Sequence, residues 1–181
     1  MHLTTDRLTI RDFSQDDKTA LFTMIWQPNV VKFMRDWSEH TTEIDKLTSF
    51  IEYMQSKSAC MDVRENKRYG IELNETGQLI GMIGMGLEET LGEVEMAYFI
   101  DEAHQKKGYA TEALKALFNW CMQISELDYM ILTIDKENTP SCVVAEKAGF
   151  ELFEERRPIG HKQPNMVSDS YYYYRKYRAK C

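Results

Sequence analysis

Ala110, Ala113, Leu114, Leu117, Cys121 and Ile124 recur at three- and four-residue spacings, while Thr111, Glu112, Lys115, Asn119 and Gln123 take the positions between them. That alternation has the period of an amphipathic helix. Apolar runs stand on either side, Val94–Ile100 before it and Tyr129–Ile134 after it, and both read as buried strands. Strand, loop, helix, strand in this order predicts two parallel strands joined by a right-handed crossover.

Elsewhere the pattern is shorter but readable. Leu8-Thr9-Ile10-Arg11 alternates as a strand does, and Ser14 with Asp17 three residues on suits the start of a helix running to about Trp26, stopped by Pro28. Asn29–Trp37 reads as a second helical segment or a turn. Thr41 or Thr42 would cap a further helix whose stripe is Ile44, Leu47, Phe50, Ile51 and Met54, a stripe that core packing explains. Arg68–Leu73 and Gln78–Gly86 read as strands joined by the turn Asn74–Gly77, and Thr90-Leu91-Gly92 turns the chain into the strand Glu93–Ile100. Phe150–Glu155 and Ser170–Tyr174 are further strand candidates, separated by a polar loop over Pro158–Ser168 that contains Pro164 and is expected to be mobile. No repeat, linker or composition break divides the chain, so one domain over residues 1–181 is expected.

Composition narrows the class. Hydrophobic residues are 43% and charged residues 28%, ordinary for a globular protein. A net charge of −7 argues against nucleic acid, which selects basic surfaces, and is compatible with a cationic substrate. Cys60, Cys121, Cys142 and Cys181 have neither metal nor redox spacing, so a reduced, cytoplasmic setting is the simplest reading. The four histidines form no i, i+4 pair, so no metal is expected, and no apolar run approaches the ~18 residues of a membrane span. Gly81, Gly84 and Gly86 lie within a strand, no helix follows directly, and position 89 is Glu89, so a dinucleotide-binding glycine loop is not completed.

The chemistry is legible where the helix begins. Gln105-Lys106-Lys107-Gly108-Tyr109-Ala110-Thr111 brings a helix N-terminus, small residues and two lysines together. Unpaired N–H groups and the positive end of the helix dipole favour a phosphate there, although a glycine can also simply bridge a turn and a helix. Q-x-x-G-x-A at this place resembles the acyl-CoA pyrophosphate loop of the GNAT superfamily of N-acetyltransferases. Asn138-Thr139-Pro140-Ser141, followed by Ala145-Glu146-Lys147-Ala148-Gly149-Phe150, resembles that family's next motif. Thr5-Asp6-Arg7-Leu8-Thr9-Ile10-Arg11 resembles the opening of its ribosomal-protein-alanine acetyltransferase-like branch. Together the three motifs span nearly the whole chain.

The resemblance implies an α/β fold with a mixed, mainly antiparallel sheet of about six to seven strands, flanked by about four helices. Two central strands, Val94–Ile100 and Tyr129–Ile134, would splay apart. Acetyl-CoA would be the co-substrate, its pantetheine on the backbone of Tyr98, Phe99 and Ile100 and on Asn138. Its pyrophosphate would sit on the N–H groups of Gln105, Lys106, Lys107, Gly108, Tyr109, Ala110 and Thr111. Early helices wall the acceptor pocket in this family, which makes Trp26, Phe33, Trp37 and Tyr53 candidates for substrate contact. Thr139 would cap the helix that Pro140 opens.

Acetyl transfer to an amine needs the neutral amine, and an alkyl ammonium has a pKa near ~10.4, so a base or a water must take a proton. Glu93 and Glu95 share one face of their strand, opposite Val94 and Met96. Glu95 matches a family glutamate and is the candidate base or amine anchor; Glu93 is the alternative. Ser141 matches the thiolate proton donor of some relatives, or is only a residue of the helix start. The expected function is therefore direct acetyl transfer, in a ternary complex, to a primary amine of a protein N-terminus or small molecule. A non-catalytic acyl-CoA-binding regulatory module on the same fold is the alternative, and a homodimer stays open as an assembly.

Overall fold

The computed structural model describes residues 1–158 and 167–179, so most of the loop predicted over Pro158–Ser168 lies outside the described residues. Strands β1 (His2–Thr4), β2 (Leu8–Arg11), β3 (Lys67–Leu73), β4 (Leu79–Glu88), β5 (Glu93–Ile100), β6 (Tyr129–Asp135), β7 (Glu151–Arg156) and β8 (Tyr171–Tyr177) form one sheet in the order β1-β2-β3-β4-β5-β6-β8-β7. Neighbours run antiparallel except β5 and β6, the parallel pair that the crossover pattern predicted. The eighth strand beyond expectation is β1, three residues too short to carry a hydrophobic period.

Among the described residues, six α-helices flank the sheet where about four were expected. Helix α1 (Lys18–Ile25) follows a 3-10 turn at Gln15–Asp17, in which the Asp17 carboxylate accepts from the Ser14 N–H at 2.7 Å. Arg11 donates to both Asp17 oxygens (2.7 and 2.9 Å) and to Glu72 (2.6 Å), which ties that turn to β2 and β3. Pro28 does more than stop α1: it opens α2 (Pro28–Phe33), where its missing N–H costs nothing. The segment expected over Asn29–Trp37 breaks at Met34 into α2 and α3 (Arg35–His40). Helix α4 (Lys46–Ser58) begins several residues after Thr41 and Thr42, with Asp45 at its N-cap, and Leu47, Ile51 and Met54 form its buried stripe. Ile44 falls before the helix and is exposed.

Helices α5 (Tyr109–Ile124) and α6 (Thr139–Ala148) cover the opposite face. Ala113, Leu114, Leu117, Phe118 and Cys121 of α5 pack with Ile83, Val94 and Met96 of the sheet, while Leu21, Ile25, Leu47 and Ile51 pack with Met82 and Phe99 on the other side. Each such aliphatic side chain removed from water contributes about 1.5–3 kcal/mol. Helix α6 starts one residue earlier than predicted. Asn138, not Thr139, is its N-cap, its Oδ1 accepting from Ser141 N–H at 3.3 Å, with Pro140 in the first turn.

Candidate functional site

Strands β4 and β5 pair along their length, from Gly81↔Ile100 to Glu88↔Glu93. Strands β5 and β6 are in register only at Glu95↔Ile131 and then part. The parting opens a crevice of 180 Å³. Its walls are Glu95, Met96, Ala97 and Tyr98 of β5 and Leu132, Thr133, Ile134 and Asp135 of β6, with Asn138, Ser141, Phe33, Met34 and Tyr171 completing the lining. An extended amide-bearing ligand fits such a gap because strand backbone left without a neighbour still needs hydrogen-bond partners.

Past the end of β5 the chain enters the glycine loop. Gln105 Nε2 donates to Ile100 O at 3.0 Å and fastens the loop to the strand. Lys106 (φ 61°) and Gly108 (φ 84°) both take left-handed backbone conformations, the second readily because it has no Cβ. Glu112 N–H donates to Gly108 O at 3.1 Å as the first bond of the α5 ladder, so the N–H groups of Tyr109, Ala110 and Thr111 precede it. Lys106, Lys107 and Gly108 are exposed.

An ion pair that the sequence pattern did not reveal holds this loop. Glu112 accepts from Thr5 Oγ1 (2.6 Å), Arg7 N (3.0 Å) and Arg7 Nε (2.7 Å), and Arg7 Nη1 donates to Lys107 O (2.9 Å). Desolvation works against the Glu112 charge, but these donors outweigh it and hold the carboxyl below its ordinary range. Arg7, Lys115 and Lys147 also surround a shallow hollow beside Gly108, a cationic setting that extends the loop's own lysines. Their spacing along the chain gave no sign of it.

The two carboxylates of β5 have different surroundings. Glu95 accepts from Thr133 N at 3.1 Å and from the Thr133 hydroxyl. Burial pushes its carboxyl above the ordinary range against those bonds, with Glu88 adding in the same direction and Arg68 opposing. Glu93 accepts from the hydroxyls of Tyr129 (2.6 Å) and Tyr173 (2.7 Å) and from Arg175 Nη2 (3.3 Å). There desolvation is outweighed, and Glu93 is held below the ordinary range. A carboxylate so bonded is a weak base, whereas Glu95 opens on the crevice.

Tyr98 OH donates to Ser141 O across the crevice at 3.3 Å, and burial pushes that phenol upward. Ser141 is half-buried and lines the same wall as Asn138. Of the four aromatic candidates only Phe33 lines the crevice. Trp37 packs edge-on against Phe50 and Phe99 as part of the core, and Trp26 and Tyr53 are exposed. Met34, Thr133, Asp135 and Tyr171 are wall residues that no motif named; a threonine within the apolar run Tyr129–Ile134 was the readable hint for one of them.

Residues 7–151 match the family model described as the acetyltransferase (GNAT) domain. The chain belongs to the GNAT family of acetyltransferases. It is 30% identical over 178 residues to the uncharacterized N-acetyltransferase YnaD of Bacillus subtilis, spanning 96% of this chain and 95% of that protein. The ribosomal-protein-serine acetyltransferase of Escherichia coli is 27% identical over 126 residues, 63% of this chain and 69% of its own, so the branch suggested by the opening motif is represented among the relatives. RimJ of Mycobacterium smegmatis, solved in complex with CoA-disulfide, superposes with a TM-score of 0.74 at 16% identity, over 94% of this chain and 81% of that one. Among the described residues of this GNAT protein, no helix is long and apolar enough to cross a membrane.

Neither buried cysteine is suited to carry an acyl group. Burial pushes the Cys121 thiol up to about 12, and Cys142 is also raised by burial, so neither supplies thiolate at neutral pH. Incubation with acetyl-CoA alone, read by intact mass, is expected to show no acetyl adduct that chases to an added amine. A kinetically competent acetyl-cysteine would overturn direct transfer.

Proposed function

We propose that this GNAT protein acts as a single N-acetyltransferase domain, moving the acetyl group of acetyl-CoA to a primary amine by direct transfer in a ternary complex. The observation that carries the reading is the crevice itself: Glu95 stands where β5 and β6 part, and the open N–H groups of the Gly108 loop follow the same strand. The β5 backbone at Tyr98, Phe99 and Ile100, with Asn138, would hold the pantetheine arm. The loop Gln105–Thr111, framed by Arg7, would hold the pyrophosphate. The Mycobacterium smegmatis neighbour was solved with a CoA-disulfide, which supports a coenzyme A ligand for this fold.

Glu95 takes the proton that the ammonium must lose, directly or through a water; its raised basicity suits this role better than Glu93's bonded carboxylate. The freed amine attacks the thioester carbonyl, the C–N bond forms and the C–S bond breaks; the second proton the nitrogen sheds passes to the leaving sulfur, in this reading through Ser141, whose hydroxyl is thereby regenerated. The acceptor is a protein N-terminal amine or a small-molecule amine; the Escherichia coli relative's name supports a protein acceptor. A cytoplasmic setting belongs to this reading, supported by the unpaired Cys60, Cys121 and Cys142.

Release of free thiol from acetyl-CoA, followed across a panel of peptides with free N-termini, polyamines and aminoglycosides, tests it. Amine-dependent release with acetylated product is expected. Tight acetyl-CoA binding without release from any amine would favour a non-catalytic acyl-CoA-binding module instead.

A further inference from the structure

Arg68 of β3 is hydrogen-bonded to no carboxylate among the described residues. Its Nη1 donates to two backbone carbonyls, Lys67 O at 2.9 Å and Met85 O at 3.1 Å. Other arginines of the sheet are paired, Arg11 with Asp17 and Glu72, Arg156 with Glu154, and Arg175 with Glu93. Its position follows from a glycine. Arg68 pairs with Gly84, and Gly84 pairs on its other side with Ala97, while the next glycine along, Gly86, pairs with Glu95. Residues paired across antiparallel strands share a face, so Arg68 and Glu95 lie on the same one, with β4 between them. A Cβ on Gly84 would stand 2.5 Å from Arg68 Cδ and closer still to Lys67 O. The arginine stem therefore runs over the bare backbone of Gly84, from β3 towards β5, along a lane that any side chain would block.

We propose that Arg68, laid across β4 in this lane, is a positioning residue for Glu95: its guanidinium supplies the positive charge that faces the carboxylate and keeps it ready to receive the acceptor's proton. The proposal rests on the reading of Glu95 as proton acceptor. Burial weakens the hold of Arg68 on its own proton, pulling it down to about 10, and Glu95 is the carboxylate that acts against this. Seen from Glu95, the remaining facing groups do not replace it. Thr133 on β6 donates two neutral hydrogen bonds, and Glu88 at the end of β4 is a like charge. On the crevice wall, Asp135 is turned to the N–H groups of Glu137, Val167 and Ser168, and Tyr98 to Ser141 O. Glu93 two residues away is taken by Tyr129, Tyr173 and Arg175.

The test reads Glu95 itself. In protein labelled with ¹³C at glutamate Cδ, the Glu95 resonance is the one lost in Glu95→Gln, and its titration is followed in the free protein. Arg68→Met is expected to move the midpoint up by about one pH unit, the lower end for removing a nearby opposite charge. Arg68→Lys, which keeps the charge, should leave most of the midpoint in place. If Arg68→Met does not fold, Arg68→Gln, whose amide can still donate to a carbonyl, carries the same test. A midpoint unmoved in the neutral variant overturns the proposal and leaves Arg68 as a brace between β3 and β4. Turnover of Glu95→Gln separately decides the role of Glu95, so the two readings fail independently.

Discussion

Gly108→Glu is expected to abolish measurable acetyl-CoA binding in a protein that still folds. At φ 84° an L side chain is strained by about 1 kcal/mol, and the new Cβ would meet only Arg7 Nη2, the far end of a flexible side chain, at 3.3 Å. For a chain of this length that loss lowers Tm by about 2–4 °C. Binding suffers far more, because the carboxylate occupies the place where the N–H groups of Tyr109–Thr111 and the side chains of Lys106 and Lys107 would meet a pyrophosphate. A loss of at least about 100-fold, or ~2.7 kcal/mol, is expected by calorimetry. Gly108→Ala, which adds only the methyl group, should fall between the two. Wild-type affinity in folded Gly108→Glu would remove the phosphate assignment of the loop.

Glu95→Gln should separate binding from chemistry. The amide keeps the shape and can still accept from Thr133, but it cannot take a proton. Acetyl-CoA affinity is expected to change little while kcat falls by about 10²–10⁴. Burial raises the wild-type carboxyl, so wild-type rate should climb as pH rises through a value above the usual carboxylate range, and the variant should lose that limb. The same sign predicts a stability effect. A folded glutamic acid with raised pKa binds its proton more tightly than the unfolded chain does, so it lowers stability above the unfolded value, near ~4.3. Glu95→Gln should therefore match or exceed wild-type Tm at pH 8 even as activity collapses. An anchoring role would instead raise KM for the amine with little change in kcat. Unchanged kcat, KM and pH profile would exclude both roles.

The part of the fold legible in the sequence is the part written in short-range pattern. The α5 stripe and the apolar runs of β5 and β6 are dictated by a repeating period, and the loop between them by glycine and small residues. Features set by pairing across the sheet were not legible. Three residues make β1, too few for any period, and the break between α2 and α3 falls at Met34 (φ −139°), where no proline or glycine marks it in the sequence. Glu93 and Glu95 look alike in sequence, two acids at one spacing. Burial raises Glu95 despite the Thr133 bonds, whereas Tyr129, Tyr173 and Arg175 hold Glu93 down, and these partners stand on strands that only the register brings alongside. Candidates for the acceptor wall were overcounted for the same reason: aromatic residues on early helices could face solvent, core or crevice, and Phe33 alone of the four faces the crevice.

The grip of Thr5 and Arg7 on Glu112 gives the molecule a long mechanical reach. Glu112 stands 105 positions after Arg7, and the same guanidinium holds Lys107 O, so one side chain ties the outer margin of the sheet to the Gly108 loop. A ligand that binds only the closed loop therefore stabilises the β1–β2 corner by mass action, at a distance from any atom it touches. Amide exchange around residues 5–8 becomes a gauge of cofactor occupancy, and trimming or loosening that corner would be felt as weaker coenzyme retention long before the core gave way.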